Sequence, residues 1–180
     1  MVIKPGDLIS EQIILVQSEA HLLKTVNTEV VQNITAEGYH VIMITINQPS
    51  IILSKMYARA NIDTSLVFFI DAITNYALGK DEEDNENTLF INNPGDLTEI
   101  GIAITKAMTK FENENICIVL DSISTMLIYT SSARITKFIH YLTNKIRLSD
   151  INGVLFAAKN GLDPGFMIQL TTFVDEIKEE

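Results

Sequence analysis

Five short apolar runs, Ile13 to Val16, Val41 to Ile46, Leu66 to Ile70, Ile116 to Leu120 and Val154 to Ala157, alternate with longer stretches whose apolar residues recur at helical spacing. The runs are mostly aliphatic or β-branched, as in strands buried on both faces. Such strands need helices above and below them, and parallel neighbours need crossovers long enough to hold a helix. The intervening stretches supply them. Val26, Val30 and Ile34 share one helical face, with Gly38 placed to end the helix, and a second helix runs from about Ser50 to Ala60. A third opens after Asn93-Pro94-Gly95, where Asp96 and Glu99 have capping-box spacing and Leu97, Ile100, Ile104 and Met108 form the apolar side. The fourth, from about Ser132 to Leu148, carries Ile135, Phe138, Ile139, Leu142 and Ile146 on one side. The expected fold is a single α/β domain over residues 1–180, a mostly parallel sheet in a three-layer α/β/α arrangement, without repeats or an interdomain linker.

A chain of 180 residues with 47% hydrophobic content can bury one core of this kind. The formal net charge of −10 argues against a duplex nucleic-acid binder, whose affinity comes from Lys and Arg neutralising phosphates. Cys117 is the single cysteine and lies inside an apolar run, so it reads as a small core residue and offers neither a disulfide nor a thiolate metal site. This fits a reducing cytoplasm. The N-terminal segment MVIKPGDLIS lacks an apolar core of signal-peptide length, and no apolar run approaches the ~18 residues of a membrane span. His21, His40 and His140 have no metal-ligand spacing, and no metal site is expected.

The segment Ile14 to Thr25, ILVQSEAHLLKT, has the frame of a phosphate-binding loop, with an apolar strand, a short connection, and Lys-Thr opening a helix. In G-x-x-x-x-G-K-[ST] the glycines let the backbone fold tightly with its N–H groups turned toward a phosphate. Ser18 and Leu23 stand in those glycine positions. Serine is also a preferred N-cap, and Glu19 through Lys24 favour or tolerate helix, so a helix starting at about Glu19 is expected in place of an open loop. Lys24 reads either as a solvated helix charge or as a phosphate contact, and Asp121 either as a strand-end turn cap or as a metal-site carboxylate. Asp71, after the run ending at Ile70, reads as a strand-end turn residue.

The order of ILVQSEAHLLKT, HVIMITINQPS, LVFFIDAITNY and ICIVLDSISTMLIY resembles the RecA superfamily, and within it the KaiC-like and GvpD-like proteins found widely in archaea. Ile116 to Ser122, an apolar run followed by Asp121-Ser122, is similar to the Walker B strand of that group; FFIDAIT and NNPGDLTEIGIAI also resemble its archaeal members. The likeness covers roughly Ile13 to Ala158. It implies a RecA-like P-loop NTPase fold in which Lys24 and Thr25 would meet the β/γ-phosphates and Mg²⁺ and Asp121 would hold Mg²⁺ through water. Where members that hydrolyse ATP carry an acidic pair after the second strand, this chain has Asn47-Gln48, and neutral amides cannot act as the base. The likeness also implies the expectation that the chain is shortened at both ends relative to full family members.

Charge placement adds one more signal. Asp81, Glu82, Glu83, Asp84 and Glu86 crowd one connection, read as a flexible, solvated loop. From Ser122 to Ser149 there is no acidic residue, while Arg134, Lys137 and Lys145 fall near one helical face. That face is either a solvated helix surface or a dock for an acidic surface, on another copy or on a partner protein. The expected function is a non-catalytic, pseudo-ATPase RecA/KaiC-like domain acting in regulation or assembly through protein contacts, with no cofactor. A nucleotide binder or weak ATPase that uses Lys24, Thr25 and Asp121 with Mg-ATP is the alternative. A DNA-associated recombinase paralogue is disfavoured by the net charge and by the lack of an aromatic-basic groove.

Overall fold

The computed structural model describes Ile3, Gly6 and residues 11–180, so the reading of the N-terminal segment falls almost wholly outside the described residues. Seven strands are present among them: β1 (Ile13–Ser18), β2 (His40–Thr45), β3 (Val67–Asp71), β4 (Thr88–Phe90), β5 (Ile116–Asp121), β6 (Asn152–Ala158) and β7 (Glu176–Glu179). They form one sheet in the order β4-β3-β2-β5-β6-β1-β7, every pair parallel. The helices are α1 (Leu23–Ala36), α2 (Ser50–Arg59), α3 (Thr74–Leu78), α4 (Leu97–Lys110), α5 (Ile123–Met126), α6 (Ser132–Leu148) and α7 (Pro164–Thr171).

Strand periodicity divides the core into two layers. Ile14, Val16, Val41, Met43, Cys117 and Val119 pack with α1 and α2 on one face. Their neighbours Ile13, Leu15, Ile42, Ile44, Ile118 and Leu120 pack with α4, α5, α6 and α7 on the other. The central strands therefore have no solvent side, which is why their sequences do not alternate with polar residues. Helix α6 has the expected bounds, and all five of its predicted apolar residues are buried. Asp96 caps α4 by accepting the Glu99 N–H at 2.9 Å. Gly38, at φ +83, closes α1 in a left-handed turn whose N–H reaches the Thr35 carbonyl.

Two expectations are corrected. Helix α1 starts at Leu23, not near Glu19: Ser18 remains in β1 opposite Ala158, and its hydroxyl donates to the Glu19 carbonyl rather than capping a helix. Strand pairing has claimed the extended residue that the cap reading needed. The acidic connection is solvated but tethered, since Asn75 Oδ1 accepts the Glu82 N–H, Asp84 Oδ1 accepts the Phe90 N–H, and Lys110 donates to the Glu86 carbonyl. Two edge strands escaped the apolar-run criterion, β4 because it has three residues and β7 because its sequence, Glu-Ile-Lys-Glu, is mostly charged.

Asp71 joins three elements at the carboxyl end of β3. Its carboxylate accepts the Ser50 N–H at 2.7 Å, the Ile73 and Thr74 N–H groups at 3.0 and 2.9 Å, and the Thr74 hydroxyl at 2.6 Å. It thus holds the first residue of α2 and the first turn of α3 against the sheet, as the strand-end reading anticipates. Asp71→Ala leaves these buried donors unpaired and is expected to lower stability by about 3 kcal/mol in urea unfolding, with a smaller loss for Asp71→Asn, which retains one acceptor.

Candidate functional site

In open parallel sheets ligands bind outside the carboxyl ends of strands where neighbouring connections diverge. Here that point lies between β2 and β5, because β2 leads through α2 to β3 on one side and β5 leads through α6 to β6 on the other. Thr45 and Asp121 are register partners at these two strand ends. The Asp121 carbonyl accepts the Ile46 N–H at 2.9 Å, so the pairing continues one residue beyond β2. The peptide between Asp121 and Ser122 is cis. Ser122 then caps α5, accepting the Thr125 N–H at 3.3 Å.

Asp121 is 3% exposed and connects with the α1/α2 layer. Asn27 Nδ2 donates to its Oδ2 at 2.9 Å, and the Tyr57 hydroxyl donates to Asn27 Oδ1. Burial, and secondarily the nearby Asp121 charge, raise the Tyr57 phenol well above its ordinary range, so it stays a donor. A fixed donor sets the Asn27 amide: its oxygen must face Tyr57 and its NH₂ must face Asp121. Burial pushes the Asp121 carboxyl up to about 6, with the Asn27 hydrogen bond pulling the other way. The second oxygen, Oδ1, is buried without a protein partner among the described residues, as are Gln48 Oε1 and Thr130 Oγ1. Gln48 is held by its backbone, whose N–H and carbonyl both meet Thr45 Oγ1.

Lys24 and Thr25 are exposed on the first turn of α1, while Leu23, Val26 and Asn27 face the interior. No hydrogen bond or ion pair links either residue to Asp121; the α1 residue that reaches this carboxylate is Asn27. Residues 19–22 form a tight turn closed by Leu22 N–H to the Glu19 carbonyl at 2.9 Å, and the N-terminus of α1 has no side-chain cap. Thus the connection between β1 and α1 is a short closed turn with Leu23 turned inward. Cys117 is wholly buried and burial raises its thiol, so it is a core residue as expected. Asn27 and Tyr57 were missed in the sequence reading. The available signal was a polar residue beside Val26 and Val30 on an otherwise apolar face.

On the opposite layer, Arg134 and Lys137 are exposed and line a groove between α4 and α6 with Tyr141, and Lys145 lies 5.9 Å from the Tyr141 ring centre. Arg134 and Lys137 share this groove, whereas Lys145 is half-buried and borders a separate depression with Thr105, Thr109 and Ile116. Arg147, on the same helix, is engaged elsewhere: its guanidinium donates to both oxygens of Asp175 at 3.0 Å and to the Phe173 carbonyl. Although burial acts to raise Asp175, the bonds from Arg147 and the Ile13 N–H outweigh it and hold the carboxyl below its ordinary value. Among the described residues no group of three His, Cys, Asp or Glu side chains is placed to hold a metal, and no helix is long and apolar enough to cross a membrane.

The chain is similar in fold to the KaiC-like protein PH0186 from the hyperthermophilic archaeon Pyrococcus horikoshii OT3, with a TM-score of 0.68 over 99% of this chain and 80% of that one. At 11% identity this is a likeness of fold, and it bears out the RecA/KaiC-like α/β architecture. No curated protein matches the chain. With residues 14–175 matched by its family model, the chain belongs to a family of unknown function, DUF7504.

Proposed function

We propose that this chain is a non-catalytic RecA/KaiC-like domain, a cytoplasmic pseudo-ATPase that acts in regulation or assembly through protein contacts. The observation that carries this reading is the use made of Asp121. A Walker-type carboxylate serves Mg²⁺ as an ionised group near the nucleotide phosphates. Here the carboxylate is buried, bonded to a neutral amide fixed by Tyr57, and linked to neither Lys24 nor Thr25 by a hydrogen bond or ion pair. Lys24 and Thr25 remain solvent-facing, and Asn47-Gln48 supplies no base. The nucleotide-binding alternative draws on one feature, the phosphate-loop-length turn at residues 19–22 before an uncapped helix. Helix N-termini attract anions, but residues 19–22 close as a tight turn, and Ser18 and Leu23 stand where glycine would let the backbone fold around a phosphate.

Calorimetric titration with Mg-ATP, paired with a phosphate-release assay, tests the choice. No saturable tight binding and no turnover above background are expected. Turnover that disappears in Lys24→Ala would overturn the proposal and establish the alternative.

The Asp121 environment gives a second, independent check. An unfolded aspartate titrates near ~3.9, whereas the folded one is raised to about 6. Between those values the folded chain binds more protons than the unfolded, so this group's contribution to stability falls as pH rises from about 4 to about 6 and is level above that. Asp121→Asn cannot ionise and removes this slope. In urea unfolding at several pH values the variant is expected to gain on the wild type through that window, reaching on the order of 1–3 kcal/mol at neutral pH. A wild-type-to-variant difference that does not change with pH would contradict the buried-acid reading.

A further inference from the structure

The exposed ridge of α4 separates two surfaces of opposite character. On one side lies the groove against α6, about 460 Å³, where Arg134 and Lys137 stand without ion-pair partners among the described residues. On the other side is a smaller depression bounded by Asp84, Phe90 and Glu99, next to the tethered acidic connection. Ile102 lines both and is 55% exposed. The rest of the ridge, Thr98, Thr105 and Thr109, is uncharged and exposed, and Thr105 and Thr109 turn their hydroxyls back onto carbonyls of the preceding turn. Two lysines temper the acidic flank; Lys110 is already engaged with the Glu86 carbonyl and the Phe68 ring, and Lys106 is exposed.

We propose that this face is a self-docking surface, on which two copies of the chain pair as an isologous dimer across α4 with Ile102 near the two-fold axis. A two-fold rotation about a ridge exchanges its flanks, so the acidic side of each copy covers the basic side of the other, twice per dimer. Apolar contact is concentrated at the centre, where Ile102 and Tyr141 are exposed, and charge lies on the rim, the usual anatomy of a specific interface. Charge complementarity is what selects a second copy: both halves of the match lie on one face of the same chain, and elsewhere a chain of net charge −10 repels itself. A head-to-tail contact would use each flank once and leave the other free to grow a chain of copies. The two-fold arrangement satisfies both flanks and stops at two.

This inference rests on reading the chain as one that works by contact, and names the partner. Sedimentation equilibrium is expected to show a closed dimer that weakens as salt rises. Arg134→Glu/Lys137→Glu should weaken it on the order of tenfold or more, as should Glu83→Lys/Asp84→Lys. Mixing these two variants should restore dimers, because each reversed flank then meets an opposite charge; this rescue excludes misfolding as the cause of the losses. Ile102→Cys supplies one reactive thiol beside the buried Cys117, and a short bismaleimide should join two copies through residue 102. A wild type that stays monomeric at high concentration, open-ended growth beyond two, or a mixture that fails to re-form dimers would each overturn the proposal. Those results leave the non-catalytic reading standing with another partner, whereas ATP turnover sinks that reading without touching the dimer measurement.

Discussion

A parallel sheet covered on both faces leaves its central strands no surface on which to present a side chain to solvent. In this chain β2, β5, β6 and β1 are buried along almost their entire length, and Ile, Val, Leu, Met and Phe fill both layers. Polar chemistry is thereby pushed to the carboxyl ends of strands, the connections and the outward faces of helices. At the strand ends Asp71 and Asp121 are engaged by the protein's own donors, while Arg134 and Lys137 stand exposed on α6.

Two aspartates at strand ends show how local donors decide what a carboxylate becomes. Asp71 receives three backbone N–H groups and a hydroxyl, and so acts as a junction between sheet and helices. Asp121, two strands away, receives one side-chain amide, and its remaining oxygen has no protein donor. Burial with a single donor raises the Asp121 carboxyl above its ordinary value. The Tyr57-Asn27-Asp121 chain ties α2 and α1 to the end of β5.

The sequence made the layered fold readable because central strands and amphipathic helices obey simple periods. Ile116 to Leu120 could hardly be anything but a buried strand, and the spacing of Ile135, Phe138, Ile139, Leu142 and Ile146 defined one side of α6. What it hid depends on pairing between distant residues. Ser18 is a good cap by its own chemistry, yet its register with Ala158 draws it into β1. The relay was invisible because its members come from three elements, and nothing in the local sequence at Asn27 or Tyr57 points to residue 121. That Ser18 and Leu23 are not glycine could be read directly, but which α1 residue turns toward Asp121 follows from where the helix starts.

The charged strand β7 has a consequence for how copies of this protein can meet. An open parallel sheet ends in rows of free backbone donors and acceptors that invite another chain to add on. Here the outer strand is Glu176–Glu179, with Glu179 facing Lys159 at 3.6 Å and Glu176 within 3.9 Å of Lys178, so an incoming strand would have to displace ionic side chains and approach a negatively charged margin. The opposite margin is only three residues long and is folded over by the Asn85–Thr88 bridge. Sheet extension, the shortest route to fibrous aggregates, is blunted at both margins of the described sheet.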